Sequence, residues 1–278
     1  MMVQVNTNLQ VIADFGKEWK KFDQSLSNSE DERKAFNSYF KIFPLQDLRR
    51  DMQGFDLGCG SGRWAKFISP KVGKLYCIDP SEESLNVAKF NLRDCQNVEF
   101  INSAVENLPL KDRVMDFGYS LGVLHHVADT QKGIEICVAK LKAGAPLLLY
   151  LYYAFDNKPA YFKMLWWCSD KLRSIISKLP FGIKYPISQF IALFVYYPLA
   201  RMALLLEKMN VAIDGFPLSA YRRQKFYVMR TDALDRFGTR VEKRFTAKEI
   251  RSMMELAGLG RVKVGESFPY WCAIGYKK

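Results

Sequence analysis

Short apolar runs alternate with helix-like segments from residue 54 onward. Residues 54–57 read as a strand ending in a glycine-rich turn, and 63–68 begin a helix. Strands are predicted at 74–78, 98–101, 114–121 and 146–153, with helices at 81–92 and 130–141 between them. This alternation predicts a parallel sheet flanked by helices. Such sheets bind ligands at the carboxyl ends of their strands. The pattern returns near the end of the chain. Thr246 and Glu249 have capping-box spacing, a helix follows over 250–257, and Gly258 stops it. Strands at 261–264 and 270–276 predict an antiparallel hairpin at one sheet edge.

Two segments lie outside this pattern. Residues 1–50 are polar and helical, with Phe15, Trp19, Phe22, Phe36, Tyr39 and Phe40 set among charges. They pack against the main domain or form a lid over a site. Residues 155–245 carry 16 Lys/Arg against 7 Asp/Glu, +9 of the whole chain's +12. Within them, 187–206 is a 20-residue apolar stretch whose only charge is Arg201. Its length could span a bilayer. Gln189, Pro198 and Arg201 interrupt it, so a buried cap helix or helix pair is the first reading. An interfacial helix and a true span are the alternatives. The division that follows is a helical lid at 1–50, a core at 51–154, a helical cap on the acceptor side at 155–245, and 246–278 completing the core.

Composition narrows the class. Hydrophobic residues make up 49% of 278, enough for a packed core, which excludes a disordered chain. The net charge of +12 favours an anionic partner or plain solubility. Cysteines at 59, 77, 95, 137, 168 and 272 form no CxxC pair and no cluster with histidine. A disulfide scaffold or structural zinc site is not expected, nor is a bound metal. The N-terminus lacks the basic start and apolar run of a signal peptide, so a cytoplasmic location is expected. His125 and His126 are the only histidines, so any histidine base is one of them.

The sharpest chemical signal is the run Phe55-Asp56-Leu57-Gly58-Cys59-Gly60-Ser61-Gly62. Alternate glycines let the backbone turn sharply and let a ligand come close. The third glycine falls one residue early for a dinucleotide fingerprint, with Arg63 in the last glycine's place. No Lys-Ser/Thr pair follows, which excludes a phosphate-binding P-loop. Asp56, two positions before the first glycine, suits a cationic amine better than a pyrophosphate. Asp79 ends the next strand, where a carboxylate can accept from both ribose hydroxyls. The combination implies a nucleoside joined to an amino acid, the layout of S-adenosylmethionine (SAM) binding.

At these residues the chain resembles the class I SAM-dependent methyltransferases, over roughly 50–155 and 246–278. The matching segments are DLGCGSG at 56–62, IDPS at 78–81, NLPL at 107–110, DFGYSLGVLHHV at 116–127 and LKAGAPLLLY at 141–150. The type 11-like methyltransferases of bacterial surface-polysaccharide and natural-product clusters are similar more loosely, through FGKEW at 15–19 and SLGVLHHVADT at 120–130. The resemblance implies a Rossmann-like, seven-stranded, mostly parallel α/β sheet with an antiparallel edge hairpin. An N-terminal helical lid and a large helical insertion after strand five complete it.

The resemblance also implies site roles. Asp56, Gly58, Gly60 and Gly62 would hold the methionine part of SAM. Asp79 would bind the ribose, with Ser81 nearby. Ser103, Ala104 and Val105 would approach the adenine, and Leu121 the methionyl group. Many relatives carry an aspartate facing the adenine amine; here Ala104 occupies that place, leaving backbone groups or the Ser103 hydroxyl. His125 or His126 could take a proton from the acceptor, or be a structural loop residue. Methyl transfer can also proceed by approach and alignment alone. Tyr152 and Tyr153 are candidates for the acceptor pocket, Tyr152 also as a catalytic residue beside the histidines, with core packing as the alternative. The triplet Asp116-Phe117-Gly118 lacks the other kinase motifs and is not one.

The acceptor is left open among three classes. A small molecule or sugar fits a closed cap, with Trp19 from the lid and Tyr153 as contacts. An amphiphile fits the apolar 187–206 wall beside cations, giving peripheral contact with the inner face of a membrane. A nucleic acid fits the basic, aromatic run 221–227 but is disfavoured, because no RNA-binding module is visible. Arg222, Arg223, Arg230, Arg236 and Arg240 are candidate partners for an anionic acceptor, at least one of them facing the pocket. The expected activity is methyl transfer to oxygen or nitrogen of a small, sugar or lipid-like acceptor. An RNA methyltransferase and a catalytically silent SAM-fold partner are the alternatives.

Overall fold

The computed structural model describes residues 12–14, 16–17, 29–213, 215–267, 269 and 271–278. Phe15, Trp19 and Phe22 lie outside the described residues, and with them the expectation placed on Trp19. The chain forms two compact units, one of residues up to Ala154 with Val241–Lys278, the other Phe155–Arg240.

The first unit is built on a seven-stranded sheet. The strands are β1 (Gln53–Leu57), β2 (Lys74–Asp79), β3 (Val98–Asn102), β4 (Phe117–Leu121), β5 (Pro146–Tyr150), β6 (Leu259–Val264) and β7 (Cys272–Lys277). Their order is β3-β2-β1-β4-β5-β7-β6. β1 to β5 run parallel, and β7 and β6 close one edge antiparallel. The order reverses between β1 and β4, the point where this architecture opens a crevice.

Residue pairing between β1 and β4 explains their tight fit. Gly54 pairs with Phe117 and Phe55 with Gly118. A Cβ on Gly54 would stand 2.3 Å from the Phe117 ring, and one on Gly118 would stand 2.2 Å from the Phe55 ring. Each phenyl therefore lies over a glycine of the facing strand. On one face of the sheet, Phe55, Leu57, Leu147, Leu149 and Leu151 pack with helices α4 (Thr130–Lys140) and α9 (Ala247–Leu256). On the other, Phe117, Tyr119, Leu121 and Leu148 pack with α2 (Ala65–Ile68) and α3 (Glu82–Asn91). Helix α1 (Ser29–Tyr39) and the turn after it join this second face through Phe36, Phe40 and Phe43. Phe40 meets Tyr119 edge-on at 5.2 Å, so these N-terminal aromatics are core.

Three boundaries differ from the pattern reading. β4 starts at Phe117, not at 114, because Asp116 turns aside. Its carboxylate accepts from the Gln53 N–H at 2.9 Å and pairs with Lys142 at 2.6 Å. β5 ends at Tyr150, and beyond it Tyr153 bridges Phe245 in parallel. Residues 241–245, grouped above with the insertion, thus belong to the core unit.

The second unit contains α5 (Ala160–Ile176), α6 (Phe181–Ile191), α7 (Tyr197–Lys208) and α8 (Phe226–Gly238). A π-helical turn, Ala192–Tyr196, joins α6 to α7. Pro198 has no N–H to continue the ladder, which accounts for the widened turn just before it. Ile176, Ile191, Ala192, Tyr196, Ala200, Met229, Ala233 and Phe237 form a small core. Buried Lys184 donates to the Gly238 carbonyl at 2.8 Å. The expectation of a buried cap helix over 187–206 is not met. Only one side of α6 and α7 is covered, while Phe190, Leu193, Phe194, Tyr197, Met202 and Leu205 stand exposed.

Candidate active site

The glycine turn is held by the strand ends it joins. Gly58 N–H and Cys59 N–H both donate to the Ile78 carbonyl, at 2.7 and 3.1 Å. Gly58, Gly60 and Gly62 have φ of +74°, +53° and +76°, the left-handed region that side chains resist. Space adds to the demand at Gly58, where a Cβ would fall 2.2 Å from Val123.

Asp79 ends β2 and is fixed from both sides. Gly60 N–H donates to one carboxylate oxygen at 3.0 Å, and Ser81 N–H to the other at 2.9 Å. Burial pushes Asp79 up to about 6, and these two N–H donors oppose the rise. Each oxygen keeps a second lone pair, so the group can still accept from hydroxyls. Ser81 also starts α3, its hydroxyl accepting from Ser84 N–H at 3.2 Å. Gly16 covers this place from the N-terminal segment: a Cβ there would fall 2.6 Å from Ser81 Oγ.

Asp56 lies on the sheet face it shares with Tyr119 and is 1% exposed. Its Oδ2 has no hydrogen-bond partner among the described residues. Burial pushes it up to about 8, the Tyr119 hydroxyl opposes this, and the negative Asp79 adds to it. A buried carboxylate with an empty oxygen is costly unless a cation arrives.

Around the expected adenine position the residues satisfy themselves. Ser103 Oγ lies 3.1 Å from the Ala104 carbonyl and 2.9 Å from that of Asn107. Its hydroxyl is thereby committed to its own turn, leaving the backbone for a base. Ala104 caps the turn Val105–Asn107, and Val105 is buried in the core beneath it. Leu121 is buried at the end of β4, beside Cys59, Trp64 and Tyr119.

Past β4, His125, His126 and Tyr152 come together. His125 is fully buried and stacks on Tyr152, ring centroids 3.8 Å apart; the His126 ring is 4.0 Å from it. Burial, then His126 and Arg244, hold His125 well below 6.5, so it is neutral. His126 Nδ1 donates to the Val241 carbonyl at 2.6 Å, which leaves Nε2 as the basic nitrogen. Tyr153 points to the opposite sheet face, edge-on to Trp271 at 6.0 Å, so core packing explains it.

The sequence reading missed the segment that clamps these rings. Lys243 N–H donates to the His125 carbonyl at 3.1 Å, and Phe245 N–H to that of Tyr152 at 2.8 Å. Arg244 lies 5.2 Å over the Tyr152 ring and pairs with the buried Glu242 at 2.8 Å. Opposite charges two residues apart share one face of extended chain, a signal that was available. It was lost in the basic count of 155–245.

The arginines proposed for an anionic acceptor all have partners inside the second unit. Arg222 and Arg223 share Glu207, at 2.9 and 2.8 Å. Arg230 donates to Gln189, Arg236 to Asp170, and Arg240 to the Lys178 carbonyl. Among the described residues no group of His, Cys, Asp and Glu is placed to hold a metal ion.

The family model described as a methyltransferase domain matches residues 55–149. The chain is similar to an uncharacterized methyltransferase, YcgJ, of Bacillus subtilis, 28% identical over 113 residues, 40% of this chain and 45% of the relative. It is also similar to the ubiquinone/menaquinone biosynthesis C-methyltransferase UbiE of Campylobacter jejuni, 30% identical over 110 residues, 37% of this chain and 45% of the relative. The match spans less than half the length of each of these relatives. A solved possible exported protein from Bordetella parapertussis shares the fold, with a TM-score of 0.52 at 13% identity, covering 88% of this chain and 67% of that one.

The segment 55–149 is therefore a class I, SAM-dependent methyltransferase domain. Its cofactor is SAM, and the residues present fit it. The unpartnered Asp56 oxygen suits the amino group, the glycine turn admits close approach, and Asp79 offers lone pairs at the strand ends.

Proposed function

We propose that the chain transfers a methyl group from SAM to an oxygen or nitrogen of a small-molecule, sugar or lipid-like acceptor. The observation that carries this reading is Asp56, a buried carboxylate whose Oδ2 has no partner among the described residues, two residues before a turn of three left-handed glycines. When bound, SAM supplies an electrophilic methyl on a sulfonium. The chain supplies position: Asp56 for the amino group, Asp79 for the ribose, Leu121 as an apolar wall. His126, with 6% exposure and Nε2 basic, is the better proton acceptor. His125, sealed and stacked, orients Tyr152. The likeness to a relative named as a ubiquinone/menaquinone C-methyltransferase supports an amphiphilic acceptor and adds carbon to the candidate atoms.

Glu207 partly neutralises Arg222 and Arg223, which weighs against a nucleic-acid surface at 221–227. The test combines purified chain, methyl-labelled SAM and an extract of the source cells. Phase separation and nuclease treatment then sort the products. Label in the organic phase supports a lipid-like acceptor, and nuclease-resistant aqueous label a sugar or metabolite. Nuclease-sensitive label makes RNA the acceptor. Absence of any transfer, with SAM bound, makes the chain a silent partner.

A further inference from the structure

We propose that the 155–240 unit docks in the plane of an anionic lipid surface. Every large apolar side chain that stands exposed among the described residues, except Phe90 and Leu256, lies between Tyr161 and Val211. Soluble proteins rarely gather so much exposed apolar surface without a partner for it.

The long helical run Phe181–Lys208 turns most of its large apolar side chains outward. Its 28 residues are apolar and long enough to cross a membrane, yet only 22% of the most apolar stretch is buried. The inward side is mostly small or polar, with Lys184, Ser188, Ala192, Ala200 and Ala203 beside the larger Ile191 and Tyr196. The outward side is large and apolar, with Phe190, Phe194, Tyr197 and Leu205. The hydrophobic effect would put the larger groups inside if water were the only solvent outside.

Helix α5 repeats the arrangement and adds charge. Tyr161, Met164, Leu165, Leu172 and Ile175 fall on one exposed face at helical spacing. Lys163, Trp167 and Lys171 line its flank, with Lys171 Nζ 5.1 Å from the Trp167 ring. An apolar face edged by lysine and tryptophan is the form of an interfacial helix. The unit as a whole has 14 Lys/Arg and 6 Asp/Glu, a net +8. Asp170 and Glu207 are each held by two arginines, so a positive charge remains at each pair and adds to that of the lysines.

That charge selects the partner. Two copies of a +8 unit repel when their faces meet, whereas anionic headgroups attract. The unit lies in the interface and does not cross it. Helix α8 packs along α6 and bears Arg230, Asp232, Asp235 and Arg236, which a crossing would carry into hydrocarbon.

The inference stands apart from the methyl-transfer reading, and its test separates the two. The full chain is floated with phosphatidylcholine vesicles, with and without 30% phosphatidylglycerol. The probe for the cofactor site is S-adenosylhomocysteine binding on the same samples. Binding to the anionic vesicles is expected, weakened at least fivefold between 50 and 500 mM salt. The double variant Phe190→Glu/Phe194→Glu is expected to lose at least tenfold in vesicle affinity while keeping its affinity for S-adenosylhomocysteine. Lys163→Glu/Lys171→Glu is expected to abolish the preference for anionic lipid. Failure of the folded wild-type chain to float with either vesicle overturns the proposal. So does a double phenylalanine variant that floats as well as wild type. A dimer that the same substitutions dissociate, without vesicle binding, assigns the face to a second copy.

Discussion

Asp56 and His125 are buried ionisable groups with opposite consequences. Asp56 is raised to about 8 from 3.8, so the folded chain holds its proton more tightly than the unfolded one. The stability this gives is full below 3.8 and is lost as pH rises through about 8. A ligand amine favours the ionised form and displaces the proton. Binding of S-adenosylhomocysteine at pH 7 is therefore expected to release a proton, read by calorimetry in buffers of different ionisation enthalpy. Asp56→Asn should abolish the release and weaken binding about tenfold or more, the scale of a charge-assisted hydrogen bond. His125 runs the other way. Its folded value lies below 6.5, so its stabilisation is present above 6.5 and is lost as pH falls below it. Denaturation midpoints taken at pH 7.5 and 5.5 should fall further in wild type than in His125→Gln. For catalysis, His126→Ala should lower kcat by about 10²–10⁴ if it takes the acceptor proton, with KM for SAM little changed. An unchanged kcat would leave alignment alone as the source of rate.

Elements carry their own test. The Phe–Gly interlock between β1 and β4 leaves no room for a methyl group at Gly54 or Gly118. Gly118→Ala should cost about 1–3 kcal/mol, the usual penalty of overpacking, seen as a lower urea midpoint at unchanged slope. The capping box at Thr246 and Glu249 was legible because its residues are local and its spacing fixed. The same holds for the glycine turn, whose left-handed backbone at Gly58, Gly60 and Gly62 follows from a few adjacent residues. Strand four was overextended because Val114 and Met115 look like strand residues. Met115 instead pairs with Leu141 at an isolated bridge, a partner 26 positions away that periodicity cannot reveal. The clamp of 241–245 on His125 and Tyr152 was hidden for the same reason. The outward face of 187–206 was misread because an apolar stretch in a sequence does not say which solvent it meets.

On the scale of the whole molecule, the 155–240 unit is an insertion whose two ends meet. Ala154 N–H donates to the Phe245 carbonyl at 2.9 Å, and Tyr153 bridges Phe245. Insertions with neighbouring ends can be excised without dismantling the core. Replacing 155–240 by a flexible linker of about ten residues should leave S-adenosylhomocysteine binding intact. It should also remove vesicle flotation. The charge reading anticipated where the basic excess sits, and the structure adds that it accompanies an exposed apolar face. The acceptor was not legible, since arginines that looked available are paired with Glu207, Gln189 and Asp170. The central claim is that the glycine turn with Asp56 and Asp79 forms a SAM site. Calorimetric titration of SAM into the purified chain and into Asp79→Ala tests it most directly. Saturable one-to-one binding by the wild-type chain, weakened at least tenfold in the variant, is the expected result. A folded wild-type chain that takes up no SAM, or a variant that binds as tightly, would contradict the account.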